Sequence, residues 1–238
     1  MKLGIMQPYF FPYLGHFALI AATDAWVVFD ITQYTPKSWM SRNRVLHPSG
    51  GANYISVALS NSSIHIKTHE AKVLDLAQSR QSTLGKLSHY RKHAPYFAQV
   101  QALIEAAMAD AGDDSLVSLN VRGLKAVCDY LELPFNYTVA SQHAFTFPEQ
   151  MGPGDWAPHI SAQMGAGMYI NPVGGRDIFN PRSFEERGVE LRFLEFSPMT
   201  YPTRGFTFEP HLSIIDVLMW NDPEAVRDAL RDNSRLVA

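Results

Sequence analysis

The first 44 residues hold the densest set of side chains able to do chemistry. Gln7 is followed by Pro8-Tyr9-Phe10-Phe11-Pro12-Tyr13-Leu14-Gly15-His16, and then by Asp30, Gln33, Arg42, Asn43 and Arg44. Pro8 and Pro12 fix backbone torsions around four aromatic rings, and Gly15 relieves crowding where the chain enters a helix. Tyr9 and Tyr13 on such a loop suit stacking on a base or sugar ring; the alternative is that they cap the edge of a sheet. A glycine just ahead of a helix also resembles an anion site, because first-turn N–H groups lack internal partners. Asp30 ends an apolar run, where a carboxylate is costly to ionise without a partner, and Arg42 and Arg44 lie near enough in the chain to supply one. That makes Asp30 a candidate base or ligand anchor. The competing reading is an internal Asp–Arg network that fastens the loop. Arg42 offers a planar fork for carboxylate or phosphate, and Gln33 and Asn43 offer amides able to read a sugar hydroxyl.

Further candidates are scattered along the chain. Pro12-Tyr13-Leu14-Gly15-His16 is reminiscent of the HxGH signature with which nucleotidyltransferases hold ATP phosphates, although Tyr13 replaces its first histidine. His65 with His69, and His89 with His93, have a spacing that puts two rings on one helix face, but no third ligand is evident, so no metal is expected. Gly174 and Gly175 follow Asn171-Pro172-Val173, where a backbone can approach a ligand or simply turn. Ser213 and Asp216 are three apart on an apolar helix starting near Leu212, which suits Ser213 as its cap and turns Asp216 to the interior or a cleft. The lone Cys128 falls in an apolar helical stripe and reads as inert core.

The elements that must position these groups are legible from periodicity. Leu3–Met6 and Ala25–Asp30 read as buried strands around a proline-bracketed loop and a helix from His16 to about Thr23, a βαβ unit that puts Gln7 and Asp30 on one sheet edge. A polar loop then leads to a strand at Tyr54–Leu59, with Ile64–Ile66 pairing beside it. Helices are expected over Thr68–His93 with a break near Gly85, over Tyr96–Ala111 and over Ser115–Leu131. Strand signals return at Phe135–Val139, Tyr169–Ile170 and Glu190–Phe196. The stretch 141–158, with Pro148, Gly152, Pro153, Gly154 and Pro158, reads as a long loop. The expectation is one α/β domain over 1–238, with a mixed, mainly parallel central sheet opened by the βαβ unit and flanked by helices.

Composition excludes several classes. With 46% hydrophobic and 18% charged residues the chain can build a core. A formal net charge of -3 and no basic run argue against a nucleic-acid partner. No apolar stretch is long enough for a membrane span, and the start lacks a secretory leader, which points to the cytoplasm.

The order of the longer motifs carries a family resemblance. MQPYFFPYLGHF, WVVFDITQY and KSWMSRNRV, then Tyr90 with HAPYF, YINPVGG, FEERGVELRF and LSIIDVLMWN, together resemble the WbqC-like proteins over nearly the whole chain. The resemblance marks Gln7, Pro8, Pro12, Gly15, Asp30, Gln33, Arg42, Asn43, Tyr90, Gly174, Gly175, Ser213 and Asp216. It departs at His16, where many relatives carry Tyr or Phe. It implies an accessory enzyme of surface-polysaccharide pathways such as O-antigen synthesis, or of secondary metabolism. The expected reaction is transfer of a small acyl or aminoacyl group, glycyl included, to the amine of an activated amino sugar or related metabolite. In that scheme Asp30 or His16 is the base, with Tyr90 a third catalytic candidate, and Arg42 with Asn43 holds an anion. The donor is ATP-activated, CoA-linked or carrier-bound, and the partners are a small-molecule substrate and neighbouring pathway enzymes. The alternatives are a noncatalytic sugar-nucleotide-binding protein and an ATP-dependent amide-forming or nucleotidyl-transfer enzyme using the HxGH-like loop.

Overall fold

The computed structural model describes residues 1–238. Its strands are β1 (Lys2–Met6), β2 (Ala25–Val28), β3 (Arg42–Leu46), β4 (Ala52–Ser56), β5 (Leu59–Asn61), β6 (Lys72–Val73), β7 (Tyr137–Val139), β8 (Met168–Pro172), β9 (Glu190–Phe196) and β10 (Ser234–Val237). Its helices are α1 (Leu14–Ala21), α2 (Leu76–Lys86), α3 (Phe97–Ala107), α4 (Leu116–Tyr130), α5 (Trp156–Gln163), α6 (Pro181–Glu185), α7 (Ile214–Trp220) and α8 (Pro223–Asp232).

Side chains of the central strands alternate between two apolar layers, because neighbouring residues of a strand point to opposite faces. Leu3, Ile5, Val27 and Tyr169 meet Ala157 and Ile160 of α5 and Phe184 of α6. Trp26, Val28, Ile170 and Leu194 face a much larger cluster that takes in α1, α3, α4, α7 and α8. Covering both faces is what a parallel sheet requires. Gly4 is needed for this packing, since a Cβ there would stand 2.7 Å from the Trp26 ring.

The architecture is mixed α/β, with strand order β10-β9-β8-β1-β2-β7 flanked by helices. Every neighbouring pair is parallel except β9 and β10. From β1 the chain passes through α1 to β2 and later to β7 on one flank, then crosses to β8 on the other. The direction of winding therefore reverses at β1, and in such sheets ligands bind in the crevice beyond the carboxyl ends at the reversal.

Between β2 and β7 the chain builds a second layer from the antiparallel pairs β3–β4 and β5–β6 and helices α2 to α4. Several expected boundaries are corrected here. Residues 42–46, read as loop, form β3: Asn43 and Val45 turn inward while Arg42 and Arg44 turn outward, an alternation disguised by the inward amide. β5 pairs with β6 rather than with Ile64–Ile66. The long helix expected from Thr68 starts only at Leu76, because Asp75 caps it by accepting from Gln78 N at 2.8 Å. It ends at Lys86, near the expected break, and a 3-10 turn over Ser88–Lys92 follows. α5 begins inside the stretch read as loop, and α6, α8 and β10 are additional elements. No helix is long and apolar enough to cross a membrane.

Candidate functional site

A cavity of about 390 Å³ opens at the winding reversal, between the carboxyl ends of β1 and β8. Tyr9, Pro12, Tyr13 and Gly15 form one wall; Trp39, Asn43 and Arg44 a second; Pro172, Val173 and Gly174 a third; Leu194, Phe196 and His211 close it. A broader groove of about 1050 Å³ lies along α2, walled by Gln78, Arg80, Gln81 and Glu105 among others. That groove is open and has few apolar walls, so it lacks the enclosure a small ligand requires, and it is away from the strand ends.

The aromatic loop is held by side chains from three distant segments. Asn120 Nδ2 donates to Pro8 O and Met40 O, both at 2.8 Å. Asn43 Nδ2 donates to Phe10 O at 3.1 Å and Phe11 O at 2.9 Å, and its Oδ1 accepts from Arg44 N. Ser213 Oγ donates to Phe11 O at 2.6 Å, and Ile214 N to Pro12 O. This grip maintains Phe11 at a φ of 40°, a conformation most side chains avoid. The loop then enters α1 with the Tyr13 ring folded over Gly15, where a Cβ would lie 2.4 Å from that ring. Gly15 N–H, in the first turn, has no carbonyl partner.

The walls carry positive charge and no acid. Arg44 lies over the Trp39 ring, 5.7 Å from its centroid, and its Nε is shut from solvent without an acceptor. Burial raises the pKa of both Tyr9 and Tyr13, so the two phenols stay neutral. His211 brings the cavity its only imidazole, edge-on to Tyr13 and held at a φ of 56°. An L-residue at such a φ is commonest at turns and ligand sites.

The sequence candidates divide. Tyr9, Tyr13, Asn43 and Gly174 reach the cavity, although Asn43 spends its amide on the loop rather than on a ligand. Arg42 does not line it; it shares the outer face of β3 with Arg44 and lies over Tyr54, while Arg44, two residues on, reaches the wall. Asp30, completely buried, accepts from Ser141 N at 2.9 Å and Ser141 Oγ at 2.6 Å, so it ties β2 to the turn after β7 and meets neither arginine. His16 turns into the core among Tyr9, Phe17 and Trp26, with both ring nitrogens unpartnered and its pKa lowered to about 3 by burial. It thus provides neither the base nor the phosphate contact of an HxGH-like loop.

Tyr90 is also away from the cavity. Its hydroxyl accepts from Leu46 N at 2.8 Å and donates to Asp216, whose other oxygen accepts from Tyr201 at 2.7 Å. Tyr90 and Asp216 are fully buried, and this network pins α7 and the 3-10 turn to β3. Ser213 caps α7 as expected and also anchors the loop. Gly175 does not line the cavity and packs on Asn171, where a Cβ would stand 2.2 Å from Nδ2, whereas a Cβ at Gly174 would meet open space. Gln33 donates to Ile64 O, and Gln7 is half-buried at the end of β1. His89 and His93 both pack on Phe206.

Sequence reasoning missed Trp39, His211 and Asn120, and treated Arg44 only as a partner for Asp30. The outward alternation of residues 42 and 44 was a usable signal for Arg44. A single histidine before a helix gave none for His211.

Residues 7–228 match the model of the WbqC-like protein family. The chain belongs to the WbqC-like family. This WbqC-like protein is 25% identical over 219 residues to an uncharacterised protein of Mycobacterium tuberculosis, an alignment covering 91% of this chain and 92% of that one. No solved structure matches it.

Proposed function

We propose that this WbqC-like protein is a transferase that moves a small acyl or aminoacyl group, glycyl among the candidates, to the amine of an activated amino sugar or related metabolite. One observation carries the reading: a half-open cavity at the winding reversal sets an unpaired guanidinium, Arg44, and an imidazole, His211, among aromatic rings. In this reading Arg44 holds a carboxylate or phosphate through its planar fork. Tyr9, Tyr13 and Trp39 flank a ring; the amine forms the new amide bond as the donor's acyl bond breaks, and His211 takes the proton that the attacking amine releases and passes it to the departing group. The walls bring no Ser, Cys, Asp or Glu side chain, so direct transfer from donor to amine is the simplest route.

The lack of a Ser, Cys or carboxylate in the walls favours a second reading, a protein that binds a sugar nucleotide without turning it over. Incubation with ATP, CoA thioesters and a panel of amino-sugar nucleotides, followed by mass spectrometry, separates the two. The transferase reading expects an acceptor heavier by one acyl group, and loss of that product in His211→Ala. Ligand retained unchanged with every donor would overturn it in favour of the binder.

A further inference from the structure

The outer face of the β3–β4 hairpin carries a second arginine that the cavity does not use. Arg42 and Arg44 project from the same side of β3, about 7 Å apart given a strand rise of roughly 3.3 Å per residue. Each guanidinium lies over a half-exposed ring, Arg44 on Trp39 and Arg42 on Tyr54 at 4.8 Å from the centroid. Neither pairs with a carboxylate; every ion pair of the protein is made by other residues. The Nε of both is enclosed without an acceptor. Lys86 adds a third cation beside this face, its Nζ donating to Tyr54 O at 2.6 Å.

Two guanidinium groups stacked on aromatic rings are unlike ordinary solvated surface arginines. Stacking fixes the plane of each fork and lowers the entropy lost when it captures an anion. No protein carboxylate competes for either. Because Arg44 is at the cavity wall and Arg42, two residues before it on the same face of β3, does not line the cavity, the pair forms a strip that continues beyond it. A lone carboxylate or inorganic phosphate can engage only one of them.

We infer that this strip binds the phosphate groups of an extended nucleotide whose reactive end occupies the cavity. It therefore selects a nucleotide-bearing donor with at least two separated anionic groups, such as a CoA thioester, over a simple carboxylate. Calling this ligand a donor rests on the transferase reading; the binding strip itself does not.

The test is titration calorimetry of the full chain with CoA, adenosine 3′,5′-bisphosphate and inorganic phosphate, for the wild type, Arg42→Ala and Arg42→Lys, at low and physiological salt. Arg42→Ala should weaken CoA and the bisphosphate by about tenfold or more and inorganic phosphate by less than about twofold, with Arg42→Lys in between. Its melting temperature should stay near that of the wild type, because Arg42 donates to no protein acceptor. Equal losses for all three ligands, or wild-type protein that binds neither nucleotide at millimolar concentration, would overturn the strip. Nucleotide binding that depends on Arg42 without turnover of any acceptor would remove the transferase reading and leave the strip intact. Turnover of an acceptor by wild-type protein that binds neither nucleotide would do the reverse.

Discussion

Tyr90→Phe removes a single oxygen atom and creates no cavity, so its cost isolates the hydroxyl network. That hydroxyl has two partners: it accepts from Leu46 N and donates to the Asp216 carboxyl. The substitution orphans a buried N–H, at about 1 to 3 kcal/mol, and removes a charge-assisted bond worth about 1.5 to 3 kcal/mol. A total near 4 kcal/mol in a chain of this size corresponds to a fall in Tm of roughly 12 °C. Tyr201→Phe loses only the bond to the second carboxyl oxygen, so it should cost about 2 kcal/mol, roughly 6 °C. The pH dependence adds a second signature. Burial raises the Asp216 pKa, opposed by the hydrogen bonds from Tyr90 and Tyr201. A native pKa above the unfolded one means that the group's contribution is fully present below the unfolded value and is lost as pH rises through the window between the two. Losing a phenol donor raises the native pKa further. The stability of Tyr90→Phe should therefore fall more steeply than wild type as pH climbs above the ordinary carboxylate range, and Asp216→Asn should lack that slope. Scanning calorimetry between pH 4 and 8 measures both effects. A Tyr90→Phe protein melting within 2 °C of wild type, or less destabilised than Tyr201→Phe, would refute the network as described.

Three further outcomes are expected. Asn43→Ala strips donors from Phe10 O and Phe11 O and should cost about 2 to 3 kcal/mol, seen as a lower urea midpoint together with weaker ligand binding as the aromatic loop loosens. His16→Phe should fold and gain acid stability. With the native His16 pKa depressed to about 3, the wild type loses its contribution as pH falls below about 6.5, so by pH 4 the variant should lead by about 3 kcal/mol, and identical acid-unfolding curves would count against it. Gly15→Ala must displace the Tyr13 ring, and its crystal structure should show a reshaped cavity; a Tyr13 ring in its original place would refute the contact.

Much of the fold was readable because apolar periodicity is a local signal. β1, β2 and β9 announced themselves as short apolar or alternating runs, and α4 as a stripe at helical spacing. β3 escaped because its inward residue at 43 is an amide, placed there by hydrogen bonds to a loop more than 30 residues earlier. α8 was missed although Asp222-Pro223 is a standard start signal and the side chain does cap Ala225 N. The aromatic loop was legible as a place of unusual conformation. Which polar residues face its cavity was not: Arg42 and Arg44 share one face of β3 and differ only in their place along it, while α1 turns His16 into the core. Asp30 looked chemical for a sound reason, the cost of a buried carboxylate, but the partner that offsets the cost is Ser141, 111 positions away.

The long-range grip on residues 8–13 bears on how the molecule comes into being at the ribosome. The loop is made 202 residues ahead of the hydroxyl that clamps Phe11, at position 213, and the Ile214 N–H that holds Pro12 follows it. β1 and β2 can begin to associate early and Asn43 can already donate to Phe11 O, but a nascent chain halted before residue 213 lacks the two contacts that close the grip. Ligand-binding competence should consequently switch on abruptly during synthesis, as residues 213 and 214 close on the loop, rather than grow with chain length.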